Sequence, residues 1–166
     1  MPLTGFNHAI TWGEFQTRTT RPSGAGDEDA EIHTAAPSSY NYSSRNGRYS
    51  VTDVTTDITV DTNLSWVLRN GRTADLLRHE QGHYDIQALG ARETYSRVGR
   101  LTAASEADLA RQVRAIEREV QRKVDDKNAR YDTQTNHSRN AAEQRNWEAT
   151  IRRAKDSPTG TLDLLP

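Results

Sequence analysis

The residues with the clearest chemical potential are His79-Glu80-Gln81-Gly82-His83, two histidines four positions apart with a glutamate directly after the first. On an α-helix, residues i and i+4 lie on one face, so both imidazoles can reach a common point. Zinc binds imidazole nitrogens at about 2.0–2.1 Å, which this spacing allows. Glu80 is rotated by about 100° from His79, where a carboxylate can accept a proton without binding the metal. The pattern therefore predicts two zinc ligands and a general base.

Two histidines do not complete a metal site, and a polar helix with two exposed histidines would have the same spacing. A pattern of five residues also arises by chance, so the motif alone does not decide the function. Gly82 is a second signal, because glycine inside a helix costs roughly 1 kcal/mol relative to alanine. Its presence indicates that another backbone or side chain packs closely against the motif. A loop that carries a third ligand would be one such neighbour.

A catalytic zinc has three protein ligands and one open position. The sequence contains no cysteine, so thiolate ligands and disulfides are excluded. The candidates for the third ligand are the other histidines and several acids, namely His8, His33, His137, Glu106, Glu117, Glu119 and Asp132. We favour His137, because it follows the long second helix, which can run antiparallel to the first and bring the next loop to the motif. Nearby Tyr131 could hydrogen-bond the oxyanion of a tetrahedral intermediate, or it could only cap the core.

Helical patterns flank these residues. Thr73 is the predicted N-cap of a helix from about residue 74 to the high 90s, with Asp75 in its first turn. Ser105 and Asp108 resemble the start of a second helix. Its apolar positions follow helical spacing, Leu109, Val113, Ile116, Val120 and Val124. Residues 131–140 are predicted to be a loop, and residues 141–155 a third helix.

The first half of the chain favours strands and loops. Val54, Thr56, Ile58 and Val60 alternate with polar residues, which predicts a half-buried strand within residues 51–60. This strand could pair with an extended substrate along a sheet edge, or it could be an interior strand.

We predict loops for most of residues 18–48, with a short strand near residues 30–35, and a turn-rich connection at 63–73. The acidic cluster at residues 27–29 fits a solvated loop better than a calcium site. Residues 157–166 are predicted to be a flexible tail.

Composition bounds the class of protein. The 166 residues predict a single domain spanning 1–166, and the net charge of −1 predicts no binding to nucleic acid or to an acidic membrane. The sequence contains no run of 18 apolar residues, so we predict no membrane span. The N-terminus lacks the features of a signal peptide. The oligomeric state does not follow from the sequence.

Longer segments carry a specific resemblance. Ser65-Trp66-Val67, then Leu76 through Ile86, and much later Tyr131-Asp132 with Thr135 and His137 are similar to the bacterial family known as domain of unknown function 922. That family is described as predicted secreted zinc-dependent proteases. Gln144, Trp147 and the "ITWGEF" start also fit its pattern. Ser138 departs from the glycine that often follows the distal histidine in the family.

The resemblance implies an α+β fold of zincin type, with a small, largely antiparallel twisted sheet packed on the motif helix and a second long helix. It implies His79, His83 and His137 as zinc ligands and Glu80 as the base. Tyr131 would be a catalytic helper, and Asp132 would orient a ligand histidine. It also suggests secretion or a periplasmic location, although this chain has no signal peptide.

The expected function is zinc-dependent hydrolysis of a peptide or protein substrate, with Zn²⁺ as the cofactor. Two alternatives stay open. One is another zinc amide hydrolase, such as a cell-wall amidase, with the same ligands. The other is a non-catalytic helical interaction module that holds zinc structurally or holds none.

Overall fold

Three helices make up most of the second half of the chain in the computed structural model, which describes residues 3–166. They are α1, Ala74–Val98, α2, Glu106–Thr135, and α3, Ala141–Asp156. The side chains of Thr73, Ser105 and Asn140 each accept a hydrogen bond from a backbone N–H in the first turn. These bonds satisfy N–H groups that have no partner within a helix, so the predicted helix starts are confirmed. Across the described residues, no helix is long and apolar enough to cross a membrane.

Nine strands, most of them short, precede or connect the helices within residues 3–166. They are β1 Leu3–Thr4, β2 Gln16–Arg18, β3 Ala30–Glu31, β4 Thr34–Ala35, β5 Ser38–Arg45, β6 Arg48–Asp57, β7 Thr59–Val60, β8 Trp66–Leu68 and β9 Thr102–Ala103. They form three small sheets, in which β1 pairs with β6, and β2 with β8, in parallel, while the other pairs are antiparallel. The predicted α+β class is confirmed, but small mixed sheets replace the single, largely antiparallel sheet.

β6 is the central strand of the largest sheet. Val54, Thr56 and Ile58 are buried and the residues between them are exposed, as the alternation predicts. β5 pairs along one side of β6, while β1 and β9 pair along the other. The structure therefore favours the interior-strand alternative, because β5 lines one side of β6, and β1 and β9 pair with the two ends of its other side.

Residues 18–48 contain more regular structure than predicted. β5 forms a hairpin with β6, closed at Asn46-Gly47, where both residues have positive φ (52° and 73°) as a tight hairpin turn requires. Tyr42 packs between Tyr40 and Tyr49 with ring centroids 6.4 and 5.9 Å apart. The Tyr42–Tyr49 pair spans the two strands, and such a cross-strand aromatic pair stabilises a hairpin whose polar composition resembles that of a loop. The turn-rich connection predicted at 63–73 likewise contains β8, with Trp66 and Val67 buried.

α2 continues through the segment predicted as a loop. Tyr131 and Thr135 are fully buried and extend the apolar face that begins at Leu109. The Thr135 hydroxyl donates to the carbonyl of Tyr131 at 2.6 Å, which satisfies its polar group inside the helix. The loop starts only at Asn136, whose left-handed backbone ends α2.

The C-terminal tail packs against the helices, so the predicted flexible tail is corrected. Leu162 is fully buried and Leu165 nearly so, within the core cluster formed by the helices. The Arg92 guanidinium donates to the carbonyls of Ala154, Lys155 and Gly160, which fixes the turn into the tail. The isolated leucines gave no periodic pattern from which this packing could be predicted.

We expect Leu162→Ala to lower the free energy of unfolding by about 2–5 kcal/mol, because it removes a fully buried side chain from the core. Leu164→Ala is the matched control in the same turn, since Leu164 is 54% exposed and should cost no more than about 0.5 kcal/mol. Urea unfolding of both variants measures the difference. Equal stabilities would show that the tail does not contribute to the core in solution.

Candidate metal centre

The two motif histidines lie on one face of α1 and converge. Their Nε2 atoms are 3.2 Å apart. His79 is almost completely buried, and His83 keeps 16% of its side chain exposed. The i, i+4 spacing therefore gives the geometry that the sequence predicts for this pair of side chains.

Asp132, one turn before the end of α2, completes a close cluster with these histidines. Its Oδ1 lies 3.1 Å from Nε2 of His79 and 2.9 Å from Nε2 of His83. Ligands around tetrahedral zinc at about 2.0–2.1 Å stand about 3.3 Å from one another, so the three atoms have nearly the spacing of a ligand set. Two imidazoles and a carboxylate, without thiolates, suit zinc and neighbouring divalent transition metals.

His137 lies on the loop after α2, near the same point. Its Nδ1 is 3.7 Å from Oδ1 of Asp132, and ligand atoms of His79, Asp132 and His137 all lie within 4.8 Å of one another. Three consecutive residues, Asn136, His137 and Ser138, have positive φ of 48°, 50° and 74°. Asparagine tolerates this conformation at a helix end, whereas it is less favourable for His137 and Ser138, so the backbone that places His137 beside the cluster carries some strain.

The outer nitrogens of the motif histidines meet amide oxygens. Nδ1 of His79 lies 3.2 Å from Oε1 of Gln144, and Nδ1 of His83 lies 2.9 Å from Oδ1 of Asn128. Because an amide oxygen only accepts, a ring proton on Nδ1 would satisfy each of these contacts, and the corresponding Nε2 would then be free to act as a ligand. Gln144 and Asn128 are thus functional candidates; the sequence pointed to Gln144 only through the family resemblance, and it did not point to Asn128.

Burial and mutual charge shift the pKa values of His79, His83 and Asp132. Burial lowers the pKa of His79. Burial also acts to lower the pKa of His83, but the hydrogen bond and charge of Asp132 outweigh it and raise that pKa to about 9. For Asp132, burial acts to raise the pKa, and the hydrogen bonds from His79 and His83 lower it below its ordinary range. The cluster therefore favours an ionised carboxylate with a positive charge beside it.

Glu80 lies next to this cluster and is 2% exposed. Its Oε2 accepts a hydrogen bond from the backbone N–H of Ile32 at 2.9 Å, just beyond β3. Burial raises the pKa of Glu80 to about 7, although the nearby charge of His83 opposes the shift. A carboxylate with a pKa near neutrality can both accept and return a proton.

Tyr131 lies beneath the cluster rather than in the wall of the cavity. Its ring stacks on His79 with centroids 4.6 Å apart, and its hydroxyl donates to the His79 carbonyl at 3.2 Å. Burial raises its pKa above the ordinary value. This position does not support the predicted contact with substrate. The tight packing that Gly82 signals comes from Tyr131, because a Cβ at position 82 would overlap the Tyr131 ring and hydroxyl.

A cavity of about 360 Å³ opens onto the cluster. β3, α1, the end of α2 and the loop after it contribute to its wall, including His79, Glu80, His83, Asp132 and His137. Glu28, which the sequence analysis assigned to a solvated acidic loop, also lines it, with Oε1 3.3 Å from Nδ1 of His137. No local pattern marks Glu28. By contrast, Asn128 shares a helix face with Tyr131, Asp132 and Thr135, a spacing that could have identified it.

The family model described as bacterial protein of unknown function (DUF922) matches residues 11–138, and the chain belongs to that family. The matched segment contains the motif of α1, Asp132 and His137, and it ends before α3. No curated protein and no solved structure matches the chain.

We expect Gly82→Ala to destabilise the protein by about 1–3 kcal/mol, because the added methyl group overlaps Tyr131 in a packed core. Gly13→Ala is the control, since its new Cβ would meet only the Thr11 hydroxyl, at 3.5 Å. Thermal and urea unfolding measure both variants. A Gly82→Ala protein as stable as the control would mean that α1 and α2 are less closely packed than described.

Proposed function

We propose that the protein is a zinc-dependent hydrolase of peptide bonds. The observation that carries this proposal is the convergence of His79 Nε2, His83 Nε2 and Asp132 Oδ1 within 2.9–3.2 Å, next to a buried glutamate and an open cavity. Three ligands and an adjacent cavity are the arrangement of a catalytic zinc site rather than a closed structural one.

The proposed ligands are His79, His83 and Asp132, with His137 at the edge of the same site. This differs from the prediction that His137 is the third ligand and Asp132 only orients a histidine. The support is distance, because Asp132 stands at ligand spacing from both Nε2 atoms, while His137 Nδ1 is 3.7 Å from Asp132. Zinc bound there would supply Lewis-acid activation of a carbonyl group and of water.

Glu80 is the proposed base. Its Oε2 is fixed by the Ile32 N–H, and within residues 3–166 its Oε1 accepts no hydrogen bond. In the proposed reaction, Glu80 Oε1 accepts a proton from the attacking water and returns it to the departing amine nitrogen as the peptide C–N bond breaks. Tyr131 takes a positioning role in this proposal, since its ring and hydroxyl hold His79.

Zinc affinities of single variants distinguish the candidate ligands from one another. We expect about one zinc per wild-type chain, and an affinity reduced more than about 100-fold in Asp132→Ala, since loss of an outer partner alone costs roughly 10–100-fold. His137→Ala should weaken binding less, and His8→Ala, which removes a surface histidine, should not change it. Elemental analysis and competition with a chelator measure these values. A larger loss in His137→Ala would restore that residue as the third ligand, and no zinc in the wild type would overturn the proposal.

Glu80→Gln separates catalysis from metal binding. The change removes the proton acceptor and keeps the side-chain shape, so we expect zinc content to be unchanged and peptide hydrolysis to fall by at least about 100-fold. The substrates are an unfolded protein and cell-wall peptides, assayed in parallel. Hydrolysis of cell-wall amides alone would redefine the substrate. Zinc uptake without hydrolysis in the wild type would indicate a structural site.

A further inference from the structure

The two ring nitrogens of His79 face competing hydrogen-bond acceptors. Nε2 lies 3.1 Å from the Asp132 carboxylate, and Nδ1 lies 3.2 Å from Oε1 of Gln144. A neutral imidazole carries one proton, so only one of these contacts is a hydrogen bond donated by the ring. If the proton is on Nδ1, Nε2 is free to bind a metal. If Asp132 draws the proton to Nε2, that nitrogen is blocked.

The orientation of the Gln144 amide decides this competition. Its oxygen would favour a proton on Nδ1, whereas its NH2 group would favour a bare Nδ1. Glu148, one turn further along α3, lies with Oε1 3.1 Å from Nε2 of Gln144. Because an ionised carboxylate only accepts, the NH2 end of the amide must face Glu148.

Tyr131 favours the same orientation. Its hydroxyl oxygen lies 2.6 Å from Nε2 of Gln144, and its proton is donated to the His79 carbonyl. The hydroxyl oxygen is therefore left as an acceptor, which requires a donor on the Gln144 side. A reversed amide would set its oxygen against the Glu148 carboxylate, and Tyr131 could donate to that oxygen only by giving up its hydrogen bond to the His79 carbonyl. The Glu148 carboxylate therefore sets the amide orientation, and the Tyr131 hydrogen bond to His79 is compatible with it.

We infer that Glu148, acting through Gln144, holds His79 with its proton on Nδ1 and so presents Nε2 as a metal ligand. The inference rests on the proposed metal centre, but the protonation site of His79 can be measured without metal. Glu148 and Gln144 are positioning residues on α3. Gln144 is 5% exposed, so its bonds are shielded from competing water.

This inference makes α3 part of the metal centre. Gln144 and Glu148 are four residues apart, so helical geometry aligns them in a row that leads to His79. Both residues lie beyond the segment that matches the family model. A truncation after residue 138 would keep every proposed ligand and lose the groups that orient one of them.

The test compares Glu148→Ala and Gln144→Met with the wild type and with Glu143→Ala, a control on the same helix that leaves the Glu148–Gln144 hydrogen bond intact. Proton–nitrogen correlation spectra of the metal-free proteins at pH 8 identify the protonated nitrogen of His79. We expect Nδ1–H in the wild type and the control, and a shift toward Nε2–H in both variants. Zinc affinity should fall roughly 10–100-fold in the variants. Glu148→Gln, which keeps an acceptor oxygen, should restore most of the wild-type pattern.

The spectra also report whether each variant is folded, so a loss of structure is distinguished from a change of protonation site. A proton on Nε2 in the wild type would overturn the inference. So would Nδ1–H retained in both variants, with or without weaker zinc binding, since packing alone would then explain any loss. Failure of the proposed function would be visible separately, as absence of zinc uptake by the wild type whatever the protonation site of His79.

Discussion

A carboxylate held between two imidazoles is the constraint on which the site depends. Asp132 Oδ1 lies within 3.1 Å of Nε2 of both His79 and His83, and a partly buried charge of this kind is costly unless an opposite charge faces it. A proton on His83 supplies that charge, which is why its pKa rises to about 9 while that of Asp132 falls. A divalent cation would supply the same charge and would displace the proton. The cluster is thus arranged around a positive charge, at the wall of a cavity of about 360 Å³.

The cluster forms only because α1 and α2 approach closely. Gly82 leaves room for the Tyr131 ring, and Gly90 leaves room for Val124, both of which belong to α2. Side chains at these positions would push the helices apart and withdraw Asp132 from the histidines. The glycines in α1 therefore offset their cost to helix stability by allowing two rigid elements to meet at ligand distance. The same contact sets Tyr131 against His79.

The features that could be predicted from the sequence are those that depend on local periodicity. The spacing of His79 and His83 and the caps at Thr73 and Ser105 follow from one helical turn, and the structure contains them. β5 was missed because its serines and tyrosines are stabilised by partners across the hairpin. Glu28, Gln144 and the packed tail reach their partners over long sequence separations, and no local pattern encodes such contacts. The predicted and the missed features thus differ in the sequence separation of their contacts rather than in their residue types.

The side chains of the proposed centre come from two kinds of backbone. His79, His83 and Asp132 stand on packed helices, and a site on helices is held more precisely than a site on loops. His137 stands instead on three left-handed residues and contacts Glu28 from a distant loop. Its position therefore depends on two loops and a strained backbone, whereas the other three donors depend on helix packing. His79, His83 and Asp132 are therefore the fixed part of the proposed centre, and His137 with Glu28 forms the part of the cavity wall whose position the loops determine.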